Sequence, residues 1–296
     1  MSDPQVTTDR FTAINGDCCE AIRSMPDDSV GLSVYSPPFS HLFIYSDSDR
    51  DMGNAASDAE FLAHYGFLVR ELYRVLKPGR LCAVHCSDLP RSKTMHGYVG
   101  LYDLSGDIIR AHEDAGFAYH GRVTVWKDPV VEMQRTKAVG LLHKQLLKDS
   151  CRSRTGMPDY VLFFRKTPTE EKHADRVSHS RDEMPVDMWR KWASPIWMDI
   201  NQTNVLNVRT AREDDDEKRL CPLQLDLIER CVRLYSNPDD VVLSPFMGIG
   251  SEGFISLKCG RKFCGVELKP AYFRQAVKNL KLAESERGHL FDTAAA

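Results

Sequence analysis

Along residues 11–126, short apolar runs alternate with longer stretches whose apolar positions recur every three or four residues. Phe11–Asn15, Gly31–Tyr35, Arg80–Cys86 and His120–Trp126 read as buried strands. Phe61–Leu76 sets Phe61, Leu62, Tyr65, Leu68, Val69, Leu72, Val75 and Leu76 on one helical face, and Lys77-Pro78-Gly79 is expected to stop that helix. Gly106–Gly116 is expected to form another helix. From Leu220 the alternation resumes: helix Pro222–Ser236, strand Val241–Leu243, helix Glu252–Lys258, strand Lys262–Glu267 and helix Pro270–Glu284. Between Lys127 and Arg219 only Tyr160–Phe164 reads clearly as a strand; the rest is polar and irregular. Strand and helix in alternation predict an α/β fold with a parallel sheet covered on both faces. The expected division is 11–166 for the first half of the core, 167–219 for an insertion, and 220–284 for the second half of the same core.

Composition narrows this picture. Of 296 residues 42% are hydrophobic and 27% charged, enough for a large core and a polar surface. No run approaches the roughly 18 apolar residues of a membrane span, and Met1-Ser2-Asp3-Pro4-Gln5 is too polar for a secretory signal. Nine cysteines form no CxxC pair, which points to a reducing cytoplasm and to no structural metal site. A net charge of −3 excludes holding nucleic acid by bulk charge alone, but not by a local groove.

Two motifs carry chemistry. In the first, the strand Val241–Leu243 enters Ser244-Pro245-Phe246-Met247-Gly248-Ile249-Gly250-Ser251-Glu252-Gly253 and opens a helix. Gly248 and Gly250 let a ligand approach the backbone, Gly253 lets helix pack on strand, and Glu267 ends the next strand, where a carboxylate can accept two ribose hydroxyls. This is nucleoside-binding chemistry. It also matches GxGxxG, so an NAD-type oxidoreductase is a competing reading; against it, only about 45 residues follow the motif, whereas a dinucleotide fold places its glycine turn early. In the second motif, strand Gly31–Tyr35 ends in Ser36-Pro37-Pro38-Phe39. Consecutive prolines fix φ and donate no N–H, so the turn is rigid and offers carbonyls. Such a corner can accept hydrogen bonds from an exocyclic amine, with a serine hydroxyl beside it and an aromatic ring to stack on a base.

With both motifs in hand, the chain resembles the DNA amino-methyltransferases, which move a methyl group from S-adenosyl-L-methionine to N6 of adenine or N4 of cytosine. Ser36-Pro37-Pro38-Phe39 matches the family's catalytic motif and Ser244–Ser251 its cofactor motif. Gly16-Asp17-Cys18 matches the segment near the cofactor adenine, Glu267 the ribose-binding acid, and Pro222-Leu223-Gln224 the helix start before the cofactor strand. The catalytic motif precedes the cofactor motif, the circularly permuted order of the beta group. The resemblance implies a Rossmann-like sheet, no required metal, double-stranded DNA as partner, a homodimer, and a target-recognition region within 167–219. It implies a cytoplasmic enzyme of bacterial or phage-derived type, working at the nucleoid. It also implies that Phe39 stacks on a flipped base, that Ser36 and Pro37 accept the amine hydrogens, and that Pro38 stiffens the corner. The implied cofactor contacts are Asp17, Cys18, Gln224, Ser244, Pro245, Phe246, Met247, Gly248, Gly250, Ser251, Glu252, Glu267 and Leu268. The chain departs from the pattern where Leu220-Cys221 stand in place of a histidine, and where Ser36 replaces the commoner Asp. A DNA-binding regulator with a dead site is a third reading, opposed by the intact Ser36–Phe39 motif.

Gln134–Lys166 holds Arg135, Lys137, Lys144, Lys148, Arg152, Arg154, Arg165 and Lys166 against Asp149 and Asp159, a local excess of positive charge in an acidic chain. It reads as a groove for DNA phosphates, with His143, Lys144, Lys148, Arg152 and Arg154 as contacts. Arg190 and the amides Asn201, Gln202, Asn204 and Asn207 could read base edges, while Trp189, Trp192 and Trp197 are expected mostly to pack a small subdomain. Pro158-Asp159 with Glu170-Glu171-Lys172 matches a nuclease pattern, but Asp159 adjoins a strand the sheet already needs. For the target base, the resemblance implies cytosine from Ser-Pro-Pro-Phe, the form more usual among the family's N4-cytosine enzymes. Ser46–Asn54, His143-Lys144-Gln145, Asp149-Ser150 and Ser153-Arg154 resemble prophage and solitary enzymes assigned to adenine, and this longer resemblance favours N6-adenine.

Overall fold

The computed structural model describes residues 4–38, 52–91, 93–207 and 222–292. The first half contains β1 (Gln5–Thr7), β2 (Phe11–Asn15), α1 (Cys18–Arg23), β3 (Val30–Tyr35), α2 (Asp58–Val75) and β4 (Leu76–Cys86). A small hairpin of β5 (Leu89–Arg91) and β6 (Gly100–Tyr102), with α3 (Lys93–His96) between them, leads to α4 (Leu104–Asp114) and β7 (Ala118–Val125). Then come α5 (Pro129–Thr136), α6 (His143–Lys148), β8 (Asp159–Arg165), α7 (Val186–Trp192) and β9 (Ile196–Trp197). The chain closes with α8 (Leu225–Tyr235), β10 (Val241–Ser244), α9 (Ser251–Lys258), β11 (Lys262–Glu267) and α10 (Pro270–Asp292).

One sheet runs in the order β1-β2-β11-β10-β3-β4-β8-β7-β9. The five strands from β2 to β4 are mutually parallel; β8 runs against β4 and β7 against β8. Residues alternate between the two faces, as strand geometry requires. On β4, Leu81 and Ala83 join a core with α8, α9 and α10, while Cys82, Val84 and Cys86 join another with α1, α2 and α4. Both faces are therefore covered, and β3 and β10 lie side by side, Val242 opposite Leu32, although most of the chain separates them.

Helix α2 starts where Ser57 accepts a hydrogen bond from the Glu60 N–H, and it buries Phe61, Tyr65, Leu68, Val69, Leu72 and Val75. Its end differs from expectation. Lys77-Pro78-Gly79 is not a stop between elements but part of β4, because Leu76 is already extended and pairs with Val30. Proline disfavours a helical residue before it, and Gly79, at φ +83°, takes the left-handed conformation the strand needs to continue.

The described residues from 167 onward lie against the sheet rather than apart from it. They pack along the core: Asp175 N–H bonds the Pro78 carbonyl, and the His179 ring bonds the Leu234 carbonyl. β9 adds a ninth strand beside β7, and Trp197, 1% exposed, joins the main core rather than a subdomain of its own. Arg230 stacks over both Trp192 and Trp197, whereas Trp189 is exposed. The acidic run Glu213–Glu217 lies outside the described residues. Among them, no helix is long and apolar enough to cross a membrane.

At the amino ends of the parallel strands Arg80, 2% exposed, pairs with buried Asp240 at 2.6 Å and with Asp175 at 3.3 Å. Lys166 is enclosed nearby, donating to Asp28 and to the Arg74 and Leu76 carbonyls, and Arg165 bonds the Gly79 carbonyl. Both basic residues close β8 at the edge opposite the site described next, so they leave the expected DNA groove.

Candidate functional site

Parallel strands deliver their carboxyl ends to one edge, where α/β sheets bind ligands. Here that edge collects Gly16-Asp17 after β2, Glu267 at the end of β11, the Ser244–Ser251 loop after β10, and Ser36-Pro37-Pro38 after β3. The two sequence motifs thus stand on adjacent strands. Phe39 lies outside the described residues.

In the glycine loop, Gly248 (φ +53°) faces open space where a side chain would begin, and Gly250 (φ +86°) starts α9 in the left-handed region. A β-carbon at Gly253 would meet Leu280 at 2.3 Å and Phe263 at 2.5 Å, so that glycine serves helix-on-strand packing. Glu267 fastens the loop: its carboxylate accepts from the Gly248 N–H at 2.9 Å and the Lys269 N–H at 2.8 Å. Asn15 bonds the Glu267 and Leu268 carbonyls, and the Gly16 N–H also bonds the Glu267 carbonyl, drawing the β2 and β11 loops together.

The predicted cofactor residues divide in two. Glu267, Gly248, Phe246 and Leu268 are partly open to solvent, and so is Asp17, which also caps α1 by accepting from the Glu20 N–H. Cys18, Pro245, Met247, Gly250, Ser251 and Glu252 are buried; their contribution to a ligand is loop shape and main chain. Ser244 Oγ and Gln224 Oε1 are buried without a hydrogen-bond partner, although Gln224 Nε2 donates to Gln202 Oε1. Buried polar atoms are rarely left so. Two free acceptors, an open glycine and a carboxylate at a strand end fit the expected S-adenosyl-L-methionine, with its ribose hydroxyls and ammonium group. Among the described residues there is no His, Cys, Asp or Glu cluster able to hold a metal.

Glu252, at the start of α9, is a buried acid. Burial first, and the Glu267 charge second, push its carboxyl up to about 8. A carboxyl that binds its proton more tightly when folded loses stability as pH rises. We therefore expect unfolding stability without cofactor to fall from about pH 5 to about pH 8, and Glu252→Gln to flatten that fall. Parallel slopes in denaturation titrations of the two proteins would show that Glu252 is ionised at neutral pH.

On the amine side Pro37 and Pro38 are buried and Ser36 partly exposed. Ser36 Oγ lies 3.2 Å from Nδ1 of His85, near the end of β4. His85 Nε2 is 3.1 Å from Asp159, which also receives the Lys127 ammonium. Neither His85 nor Lys127 is among the sequence-derived candidates; the available signal was a histidine inside an apolar strand. Asp159 opens β8, whereas Glu170 lies beyond that strand's far end and is exposed, so the nuclease pattern does not assemble.

Between β7 and β8 the chain makes an excursion through α5 and α6 from this same edge. Lys144, Lys148 and Arg152 are exposed on it, as is His143. Arg154 is committed elsewhere: its guanidinium bonds the Thr155 carbonyl and, at 3.0 Å, buried Glu132. That ion pair makes Arg154 a structural clamp of the excursion. Arg190 is exposed on α7, 3.9 Å from Asp187.

A family model described as DNA methylase matches residues 30–278. Type II methyltransferase M.BglII of Bacillus subtilis is 26% identical over 271 residues, covering 87% of this chain and 65% of its own length, so this chain spans just under two thirds of that relative. The DNA adenine methyltransferase YhdJ of Escherichia coli K12 is 22% identical, covering 92% of this chain and 83% of its own length. A Thermus thermophilus protein named as a DNA modification methylase, solved with S-adenosyl-L-methionine, superposes with TM-score 0.66 at 23% identity, covering 94% of this chain and 96% of its own. The cytosine-N4-specific PvuII DNA methyltransferase gives TM-score 0.65 at 19% identity, covering 94% and 89%. At such identities these two structures establish the fold.

Proposed function

The chain belongs to the DNA methylase family, and on that premise we propose that it transfers a methyl group from S-adenosyl-L-methionine to the N6 amine of adenine in double-stranded DNA. The observation that carries this reading is the adjacency of β3 and β10, which brings the Ser36-Pro37-Pro38 corner beside the Ser244–Ser251 loop. The bound cofactor supplies a methyl group on a sulfonium, so neither a metal nor a covalent enzyme intermediate is needed. This chain's residues orient the partners. Glu267 takes the ribose hydroxyls, Asp17 the adenine amine, and the glycine loop with Ser244 and Gln224 the remaining polar groups. The target amine is hidden by pairing and stacking, so the base is flipped from the duplex. By the family resemblance Phe39 stacks on it, while Ser36 Oγ and the Pro37 carbonyl accept its amine hydrogens and aim the nitrogen lone pair. Catalysis is then orientation and electrostatics.

Ser36 favours a second reading, N4-cytosine, since serine in that position is the commoner form among cytosine enzymes of the resembled family. The two differ in product. Plasmid incubated with protein and cofactor, digested to nucleosides and weighed by mass spectrometry, is expected to yield N6-methyladenine; N4-methylcytosine in its place would transfer the assignment to cytosine.

DNA phosphates are proposed to meet Lys144, Lys148 and Arg152 on the α5–α6 excursion, with His143 nearby, and Arg190 on α7 to approach the bases. Each phosphate contact removed should flatten the log–log salt dependence of DNA affinity by roughly 0.9. The triple alanine variant at 144, 148 and 152 is expected to flatten the slope by roughly 2.7, and an unchanged slope would put the groove elsewhere. The permuted motif order supports membership of the beta group and a homodimer, for which light scattering should exceed the 33.6 kDa of one chain. We propose a bacterial or phage-derived enzyme that works in the cytoplasm, at the nucleoid.

A further inference from the structure

Behind Ser36 stands a line of polar residues that the reading above leaves unused. His85 is 8% exposed and Asp159 3% exposed. Ser36 Oγ to His85 Nδ1 is 3.2 Å. His85 Nε2 to Asp159 Oδ2 is 3.1 Å, a close polar contact that lies outside hydrogen-bond angles. The second Asp159 oxygen accepts from Lys127 Nζ. The four residues come from the end of β3, β4, the start of β8 and the segment after β7. Burial alone would raise the Asp159 carboxyl; His85 and then Lys127 outweigh it and hold it down at about 2.

Placing an imidazole, a carboxylate and an ammonium under the corner is expensive when apolar side chains would tie the strands together as well. The order of the groups gives the line a direction. An anionic Asp159 beside Nε2 favours the proton on that nitrogen and leaves Nδ1 as the acceptor facing Ser36. The reaction has a proton to dispose of. When the new N–C bond forms, the amine nitrogen becomes positive and carries one hydrogen too many.

We infer that His85 is a positioning residue that accepts this proton through Ser36, with Asp159 setting its tautomer and Lys127 holding Asp159 in place. This rests on the amine-methylation reading. One N–H bond of the substrate breaks as its proton goes to Ser36 Oγ; the Oγ–H bond breaks as its own proton goes to His85 Nδ1. Serine ends as it began. The imidazolium is balanced by the Asp159 carboxylate and then releases its proton to solvent, so the sequence yields one free proton and needs no further reactant. Among the described residues, Asp88, Asp103 and Arg122 also face this end of β4, where they act on neighbouring Cys86.

The test is single-turnover methyl transfer to duplex DNA between about pH 5.5 and 9, in wild type, His85→Gln and Asp159→Asn, beside imidazole ¹⁵N NMR of the protein alone. Wild type should show a rate that rises with pH through one ionisation and then levels. His85→Gln should lose that limb and fall by about 10²-fold at the plateau, the usual scale of acid–base assistance, while cofactor affinity stays unchanged. Asp159→Asn should slow transfer too, and NMR should move the His85 proton from Nε2 to Nδ1. A wild-type His85 protonated on Nδ1, or a His85→Gln rate and pH limb equal to wild type, would overturn the inference. If His85→Gln fails to fold, as loss of cofactor binding would reveal, the wild-type tautomer and Asp159→Asn still decide. A wild type that methylates no DNA would overturn the reading beneath; an active wild type with an indifferent His85→Gln overturns only the relay.

Discussion

Arg80→Met should cost about 3 kcal/mol of unfolding free energy, the lower end for breaking a buried ion pair by removing one partner. Arg80 is 2% exposed and Asp240 8% exposed, and their contact is 2.6 Å. Without the guanidinium, the Asp240 carboxylate keeps the Asn237 N–H and Lys77 at 3.6 Å, which offsets part of the loss. Asp240 has no room to turn away: it lies against Gly31, where even a β-carbon would come within 2.5 Å of it. Because the pair sits at the amino ends of the strands, affinity for cofactor in the folded fraction should hold. Chemical denaturation measures the effect, and Arg80→Met with Asp240→Leu should recover much of it, since no charge is then left buried alone. A loss below about 1 kcal/mol for the single variant would mean that Lys77 already satisfies Asp240.

Glu267→Ala is expected to weaken S-adenosyl-L-methionine binding by about 10- to 100-fold, or about 1.5–3 kcal/mol, the range for hydrogen bonds to a charged group. Two losses combine. The carboxylate is the proposed ribose acceptor, and it also fixes the glycine loop through the Gly248 and Lys269 N–H groups. Glu267→Gln keeps one acceptor and should fall between. Calorimetric titration reads this directly, and an unchanged dissociation constant for the alanine variant would remove Glu267 from the cofactor site.

The strands were legible because parallel strands buried on both faces are unbroken apolar runs; Lys262–Glu267 was read to the residue. The cofactor loop was legible because glycine spacing and a carboxylate one strand later are local facts. What escaped depends on the order of strands in the sheet. β9 has two residues and exists only through its bonds to β7, including Thr124 N–H to the Pro195 carbonyl, so no periodicity announces it. Charge counting placed Lys166 with Lys144 in one basic segment, yet β8 carries Lys166 across the sheet to Asp28 and away from the site edge. His85, Lys127 and Asp159 are scattered in the chain and meet only because β8 lies between β4 and β7. In the sequence Arg154 is one more cation of a basic segment; in the fold it pairs with Glu132, 22 residues away.

The central claim is that the edge holding Ser36 and Glu267 delivers a methyl group to an exocyclic amine of DNA. Its most direct test uses S-adenosyl-L-methionine carrying ¹³C in the transferred methyl, duplex DNA and the purified protein, with the labelled nucleosides identified after digestion. The account predicts the label on an exocyclic amine nitrogen, that of adenine, and its loss in Ser36→Ala while cofactor binding persists. Label on a ring carbon, or no label in DNA from a protein that binds the cofactor, would contradict it.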